Sequence, residues 1–301
     1  MRKKTSVFSF IVFLGLITIF FLTLSTKWTK PVKTNQELEE SLTQNYHEVK
    51  PAETALIQAG ISQADKVDNS FGHKVAGGIV PHHLLASNLI ANFFKRLSFQ
   101  KVSTLIILAP NHFEKGSFNA LTSLYHWKTT FGSIAPSRLL TQTLVDDGLI
   151  KTNEAVLSNE HAISDLLPFV AHYLPETKVL PIIFRRQASL EEIEILALKI
   201  TEITDEKTVI LASVDFSHYL KPKAANQNDA EILKIIKDFD YSKLLGLDND
   251  FLDSPAAISL LLMAMNNLGK TNQELHSHTN SAEIVGDPFA ENTSYLLMTL
   301  Y

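Results

Sequence analysis

Three histidines occupy the same kind of place in this chain. His82 follows Ala76-Gly77-Gly78-Ile79-Val80-Pro81, and His112 follows Leu105-Ile106-Ile107-Leu108-Ala109-Pro110-Asn111. His218 follows Val209-Ile210-Leu211-Ala212-Ser213-Val214-Asp215-Phe216-Ser217. Short apolar runs of this kind read as buried strands. If the strands are parallel, their carboxyl ends share one edge of a sheet, where ligand crevices form and residues distant in sequence converge. Imidazole is a good ligand for zinc, copper, iron and nickel, and two or three imidazoles with one carboxylate leave a coordination position open. For any one histidine a hydrogen bond within a loop is the commoner explanation. Three repetitions of one placement favour a shared site.

Carboxylates accompany them. Asp215 lies three residues before His218 and can orient a ring, serve in acid/base chemistry, or simply cap a turn. Glu160-His161 opens a helix through Ile163, Leu167 and Val170, with Asp165 one turn on, so His161 either points into the crevice as a proton donor or is an exposed first-turn residue. In Asp253-Ser254-Pro255, Ser254 reads as an N-cap and Pro255 as the first helical residue. Capping explains Ser254 and leaves Asp253 over, although an acid beside a helix N-terminus is favourable by itself. His276 and His278 alternate in a polar stretch that reads as a solvated loop in preference to a peripheral metal site. His47, His73, His126 and His172 stand alone and are assigned no function.

The elements that must hold these groups follow from periodicity. Strands are expected at Val75–Val80, Ser103–Leu108, Val179–Phe184, Thr208–Ser213 and Tyr295–Leu300, and helices at Leu84–Leu97, Ser137–Asp147, Ile163–Tyr173, Leu190–Ile203, Asp229–Asp238 and Ala256–Leu268. Strands interleaved with helices predict an α/β fold with a largely parallel central sheet flanked by helices. Before it, residues 27–70 read as a stalk and a leading helix, so that the domain proper covers 71–301. At the start, Arg2, Lys3 and Lys4 precede an uncharged apolar run from Val7 to Leu24. That run reads as one transmembrane helix, a signal anchor over residues 1–26 with the body extracytoplasmic. A cleaved signal peptide and secretion are the alternative.

The 301 residues contain no cysteine, which excludes disulfides, thiolate nucleophiles and iron–sulfur ligation and leaves any metal to His, Asp or Glu. A formal charge of −5 gives no basic surplus for nucleic acid. A P-loop, G-x-G-x-x-G, G-x-S-x-G and H-E-x-x-H are all absent.

Four segments occur in a familiar order: Val80-Pro81-His82, Leu108-Ala109-Pro110-Asn111-His112, Glu160-His161-Ala162-Ile163 leading to Leu167-Pro168-Phe169, and Ser213-Val214-Asp215-Phe216-Ser217-His218-Tyr219. As a set they resemble the Memo-like family, also called AmmeMemoRadiSam system protein B, over roughly residues 75–301. The resemblance implies a fold like that of class III extradiol dioxygenases, non-haem iron enzymes with a metal crevice. It matches His82 and His112 to two metal ligands, Asp253 to a third ligand that is often cysteine in the family, and His161 and His218 to pocket histidines. The chain departs from the family at His83-Leu84-Leu85, where Ala-Gly-Tyr is common, and at Ser164 and Leu166, where Glu and Gln or His are usual.

Three functions compete on these residues. One is a metal-dependent redox enzyme in which His82, His112 and Asp253 hold iron or copper and His161, His218 or Asp215 moves protons. Another is zinc-assisted hydrolysis on the same ligands. The last is a binding or scaffold module with a degenerate site. The expected partner is a small-molecule substrate or a protein, with the membrane engaged through the N-terminal segment.

Overall fold

In chain order, β1 (Tyr46–Glu48) and α1 (Thr54–Ala64) precede β2 (Gly77–Val80), and a 3-10 turn at Leu84–Ala86 leads into α2 (Ser87–Leu97) and β3 (Thr104–Pro110). Then come β4 (Ala120–Thr122), β5 (His126–Thr129), β6 (Gly132–Ile134), α3 (Arg138–Asp146), β7 (Lys151–Thr152), α4 (Glu154–Leu157), α5 (His161–Ser164) and α6 (Leu167–Tyr173). The second half runs β8 (Lys178–Phe184), α7 (Leu190–Ile203), β9 (Thr208–Ser213), β10 (Phe216–Leu220), α8 (Pro222–Lys237) and α9 (Tyr241–Leu245). It ends with α10 (Pro255–Asn267), β11 (Gln273–Asn280), α11 (Ser281–Val285) and β12 (Asn292–Leu300). This is a computed structural model; it describes residues 45–49, 53–287 and 289–301, which form the single unit Asn45–Tyr301.

The main sheet is mixed, in the order β10-β12-β2-β9-β3-β8-β4-β7, with β11 also on β12. Its centre, β2-β9-β3-β8, is parallel as expected. Its margins are not: β12 runs antiparallel to β2, β10 and β11, and β4 antiparallel to β8. Apolar runs signal a buried strand without signalling its direction, so the antiparallel course of β12 was not readable from its sequence.

Helices cover both faces. One apolar cluster joins α1, α2 and α6 to one face, and the other joins α7, α8 and α10 to the opposite face. Two glycines let the helices approach β2. A Cβ at Gly77 would lie 2.7 Å from Met265 Sδ, and one at Gly78 would lie 2.9 Å from Phe93 Cζ. Helix α10 is buried from Pro255 through Met265, which is why it shows no amphipathic stripe. It starts as expected, with Ser254 accepting from the Ala257 N–H and Pro255 in the first turn.

Elsewhere the boundaries differ for definable reasons. The helix expected at Ile163–Tyr173 is split into α5 and α6; Pro168 near the start of α6 cannot donate to an uninterrupted ladder. Helix α8 starts at Pro222 rather than Asp229, because its first turns are polar and bury only Ala225 before Asp229. The segment around His276 and His278 is strand β11 rather than a loop, and its half-exposed polar pattern hid it. The stretch assigned to a stalk is integrated from Asn45 onward: β1 pairs in parallel with β5, and Ile57 and Ile61 of α1 join the core. The apolar run at Val7–Leu24 lies outside the described residues, among which no helix is long and apolar enough to cross a membrane.

Candidate metal centre

The ends of β2 and β3 put His82 and His112 on the same edge of the sheet, each two residues past its strand. The equivalent position after β9 is Asp215, not His218. His218 instead sits in β10, between register shifts and between Ser217 and Tyr219, whose φ angles are 25° and 58°. Non-glycine residues with positive φ store strain that the surrounding structure must hold, and such strain gathers at functional sites.

His82 is the centre of the arrangement. Its ring is 5.2 Å from that of His112 and 5.5 Å from that of His161, which itself stacks on His112 at 4.1 Å. On its other side Nε2 is 3.4 Å from Asp253 Oδ2 and 3.6 Å from Asp215 Oδ2. His112 Nε2 approaches the same Asp253 oxygen at 3.8 Å. Donor atoms at metal-site spacing therefore form two triplets that share His82: His82, His112 and His161, and His82, Asp215 and Asp253.

The hydrogen-bond acceptors around each neutral ring favour one tautomer. Glu160, 1% exposed, accepts from His112 Nδ1 at 2.7 Å and from the His112 backbone N–H at 2.9 Å. In the neutral ring that places the lone pair on His112 Nε2. The Ser213 hydroxyl donates to the Ala162 carbonyl at 2.6 Å, so its oxygen is an acceptor for His82 Nδ1 at 3.3 Å and His82 Nε2 is likewise bare. Two ring nitrogens thus approach one oxygen of Asp253. Asp253 Oδ1 and His218 Nδ1 are also buried without a partner. Buried acceptors in this state are costly unless a cation or proton joins them.

The two His–Asp253 distances are of the size that separates two ligands of one metal. Nitrogen and oxygen ligands roughly 2.1 Å from one tetrahedral cation stand roughly 3.4 Å apart, close to the two histidine contacts with Asp253. A ligating histidine that donates its other ring N–H to a buried carboxylate, as His112 does to Glu160, is the usual supporting arrangement.

The electrostatics follow burial. Burial first, then the neighbouring His112 and His161, holds His82 well below the ordinary histidine value. Burial pushes Asp215 up to about 7, against the lowering effect of the His82 and His83 backbone N–H groups. Burial, and then Asp215 beside it, holds Asp253 well above the usual carboxylate range. His218 is pushed down to about 4 by burial and is neutral at pH 7.

Every residue singled out from sequence at this edge is accounted for. His82, His112, His161, Asp215 and Asp253 come together in two overlapping groups, neither of which includes His218. Asp215 faces the protein, accepting from the His82 backbone N–H at 3.1 Å, while its own N–H donates to Asp253 Oδ2 at 3.2 Å. Leu166, where the family usually has a polar residue, is part of the hydrophobic core. Sequence reading missed Glu160 and Ser213 as orienting groups; the signal for Glu160 was its place at the N-cap of the helix that begins with His161. His47, read as standing alone, is bonded to Glu154 at 2.8 Å and Ser123 at 2.9 Å and packs on Trp127, which fastens β1.

Comparison with known proteins bears on the same residues. The family described as Memo-like protein matches residues 33–298. A MEMO1 family protein of Nitrosopumilus maritimus is 27% identical over 262 residues, covering 84% of this chain and 90% of the relative. One from Methanococcoides burtonii is 30% identical, covering 71% and 83%. Among solved structures, an uncharacterized protein, JW3007, from Escherichia coli K12 shares the fold at 12% identity and a TM-score of 0.50, covering 75% of this chain and 99% of that one. With a family match over residues 33–298 and a relative 30% identical over 71% of the chain, the chain belongs to the Memo-like protein family.

Proposed function

We propose that His82, His112 and Asp253 hold one divalent metal, iron or copper before zinc, and that the crevice performs redox chemistry on a small-molecule substrate. The observation that carries this reading is the approach of two bare imidazole nitrogens to one buried carboxylate oxygen. Two histidines with one carboxylate are the ligand set of non-haem Fe(II) oxygenases, in keeping with the likeness to extradiol dioxygenases. Such a metal supplies electron transfer and oxygen chemistry when bound.

The chain's own groups position the ligands and handle protons. Glu160 and Ser213 keep the ring protons of His112 and His82 on Nδ1. His218, neutral and with an unpartnered Nδ1, takes a proton from a substrate hydroxyl. His161, its side chain about half exposed and stacked on His112, exchanges protons with solvent at the mouth. Asp215 fixes the loop that carries His82. The free Nδ1 of His218 is equally suited to take a proton from water, which favours zinc-assisted hydrolysis as the second reading.

Oxygen uptake by full-length protein loaded separately with iron, copper and zinc separates the two. Uptake with iron or copper, lost in Asp253→Ala, supports the redox reading; zinc binding alone, with no uptake under any loading, overturns it. The apolar run Val7–Leu24 behind Arg2, Lys3 and Lys4 supports a membrane-anchored, extracytoplasmic body. Protease accessibility on intact cells tests that placement.

A further inference from the structure

At the far end of β2 from His82 stands a second group of donors. His73 precedes β2 by four residues, and Glu274 and His276 belong to β11. His73 Nδ1 faces one oxygen of Glu274 at 3.4 Å, and His276 Nδ1 faces the other at 3.4 Å. These contacts are long for hydrogen bonds and close to the spacing of two ligands on one tetrahedral cation, roughly 3.4 Å. We propose that His73, Glu274 and His276 bind a second divalent cation of the zinc class, which clamps β11 and the segment before β2 to the sheet.

Both rings are held from behind. His73 Nε2 and His276 Nε2 meet the same hydroxyl, Thr299 Oγ1 on β12, at 3.0 and 2.8 Å. Thr299 is fully buried, and its oxygen has two lone pairs, enough to accept from both rings and leave both Nδ1 atoms free to ligate. Packing fixes the ring planes as well: His73 stacks on Tyr301 at 3.6 Å, and His276 lies 4.8 Å from Phe71. The ladder between β11 and β12 shifts register at His276, the unpaired residue between Leu275 and Ser277. Such bulges re-aim a side chain. The histidines are sheltered, at 14% and 6% side-chain exposure, while Glu274 at 47% leaves a path for the ion.

Arg96 flanks the group, with its guanidinium 4.1 Å from the Phe71 ring and donating to the Ser70 carbonyl at 3.1 Å. Its charge opposes a second cation, so the carboxylate of Glu274 is indispensable to binding. The cation would join three segments, the approach to β2, the margin strand β11 and, through Thr299, β12.

The test uses full-length protein stripped with chelator, in a His82→Ala/His112→Ala background that removes the first centre. Zinc titration of this background should show a single bound ion and a rise in Tm. Adding the surface change Glu274→Gln should abolish both while circular dichroism stays unchanged, and Thr299→Val should weaken binding by about 10–100-fold. A folded background variant that binds no zinc, or a Glu274→Gln variant that binds as tightly as its parent, overturns the proposal. Zinc retained in the background while wild type binds only that one ion would fail the first centre and leave this one standing.

Discussion

The two ends of β2 carry similar donors and treat them differently. At the carboxyl end His82, Asp215 and Asp253 are buried, bare nitrogens face carboxylate oxygen, and Asp253 Oδ1 and His218 Nδ1 have no partner. At the amino end Thr299 satisfies both histidine Nε2 atoms, and Glu274 reaches water. Unpaired buried acceptors are expensive, so the carboxyl end calls for a cation or a proton in its resting state. The amino end holds its Nδ1 atoms at long contacts with a half-exposed carboxylate that water can solvate, so it tolerates the absence of an ion and gains from one by mass action. Stability given up in a buried polar group is a better pointer to function than histidine count.

Removing the frustrated carboxylate should break this contrast most. In chelated protein Asp253→Asn is expected to raise stability by about 1–3 kcal/mol at pH 7 while losing metal at the His82 edge. The sign follows from Asp253 being raised in the fold. Such a group costs stability above its folded value, and the cost fades as pH falls toward its unfolded value near 3.8. Urea unfolding at pH 7 and pH 4 measures both; a variant less stable than wild type at pH 7 refutes the account of the site's polarity.

Next in size, Glu160→Gln should sharpen the role of ligand orientation. The ring and the backbone N–H of His112 go to different oxygens of Glu160, and an amide keeps only one of them as an acceptor, so metal affinity should fall by about 10–100-fold with little change in fold. Equal affinity in a competition titration would show that Glu160 serves only the helix cap.

The smallest effect concerns His278, a satisfied histidine near the frustrated ones. It donates to the fully buried Asp229 at 2.7 Å, and that bond raises its pKa above 6.5. Its contribution is therefore complete below the unfolded value near 6.5 and lost as pH rises through the folded value. His278→Gln should cost about 1 kcal/mol at pH 5.5 and less at pH 8.5. A larger cost at the higher pH would contradict the assignment.

The parallel centre of the sheet was legible because its apolar strands alternate with helices, β2-α2-β3 and β8-α7-β9, the pattern of parallel crossovers. The convergence of His82, His112 and Asp253 was legible from strand-end logic and the family resemblance together. That logic misplaced His218, because β9 stops at Ser213 and its third equivalent position is Asp215. The second cluster was not legible as a group: in the sequence His276 pairs with His278 as a candidate peripheral metal site, and His73 stands alone. His73 and His276 are brought together by the antiparallel pairing of β11 on β12 and β12 on β2, and β11 is a polar strand whose pairing has no local signal.

The most direct measurement is metal content by elemental mass spectrometry of full-length protein purified without chelator, beside the folded His82→Ala/His112→Ala variant. The account predicts one more iron or copper equivalent in wild type than in the variant. Equal content in the two proteins, with both folded, would contradict a metal centre at the carboxyl end of the sheet.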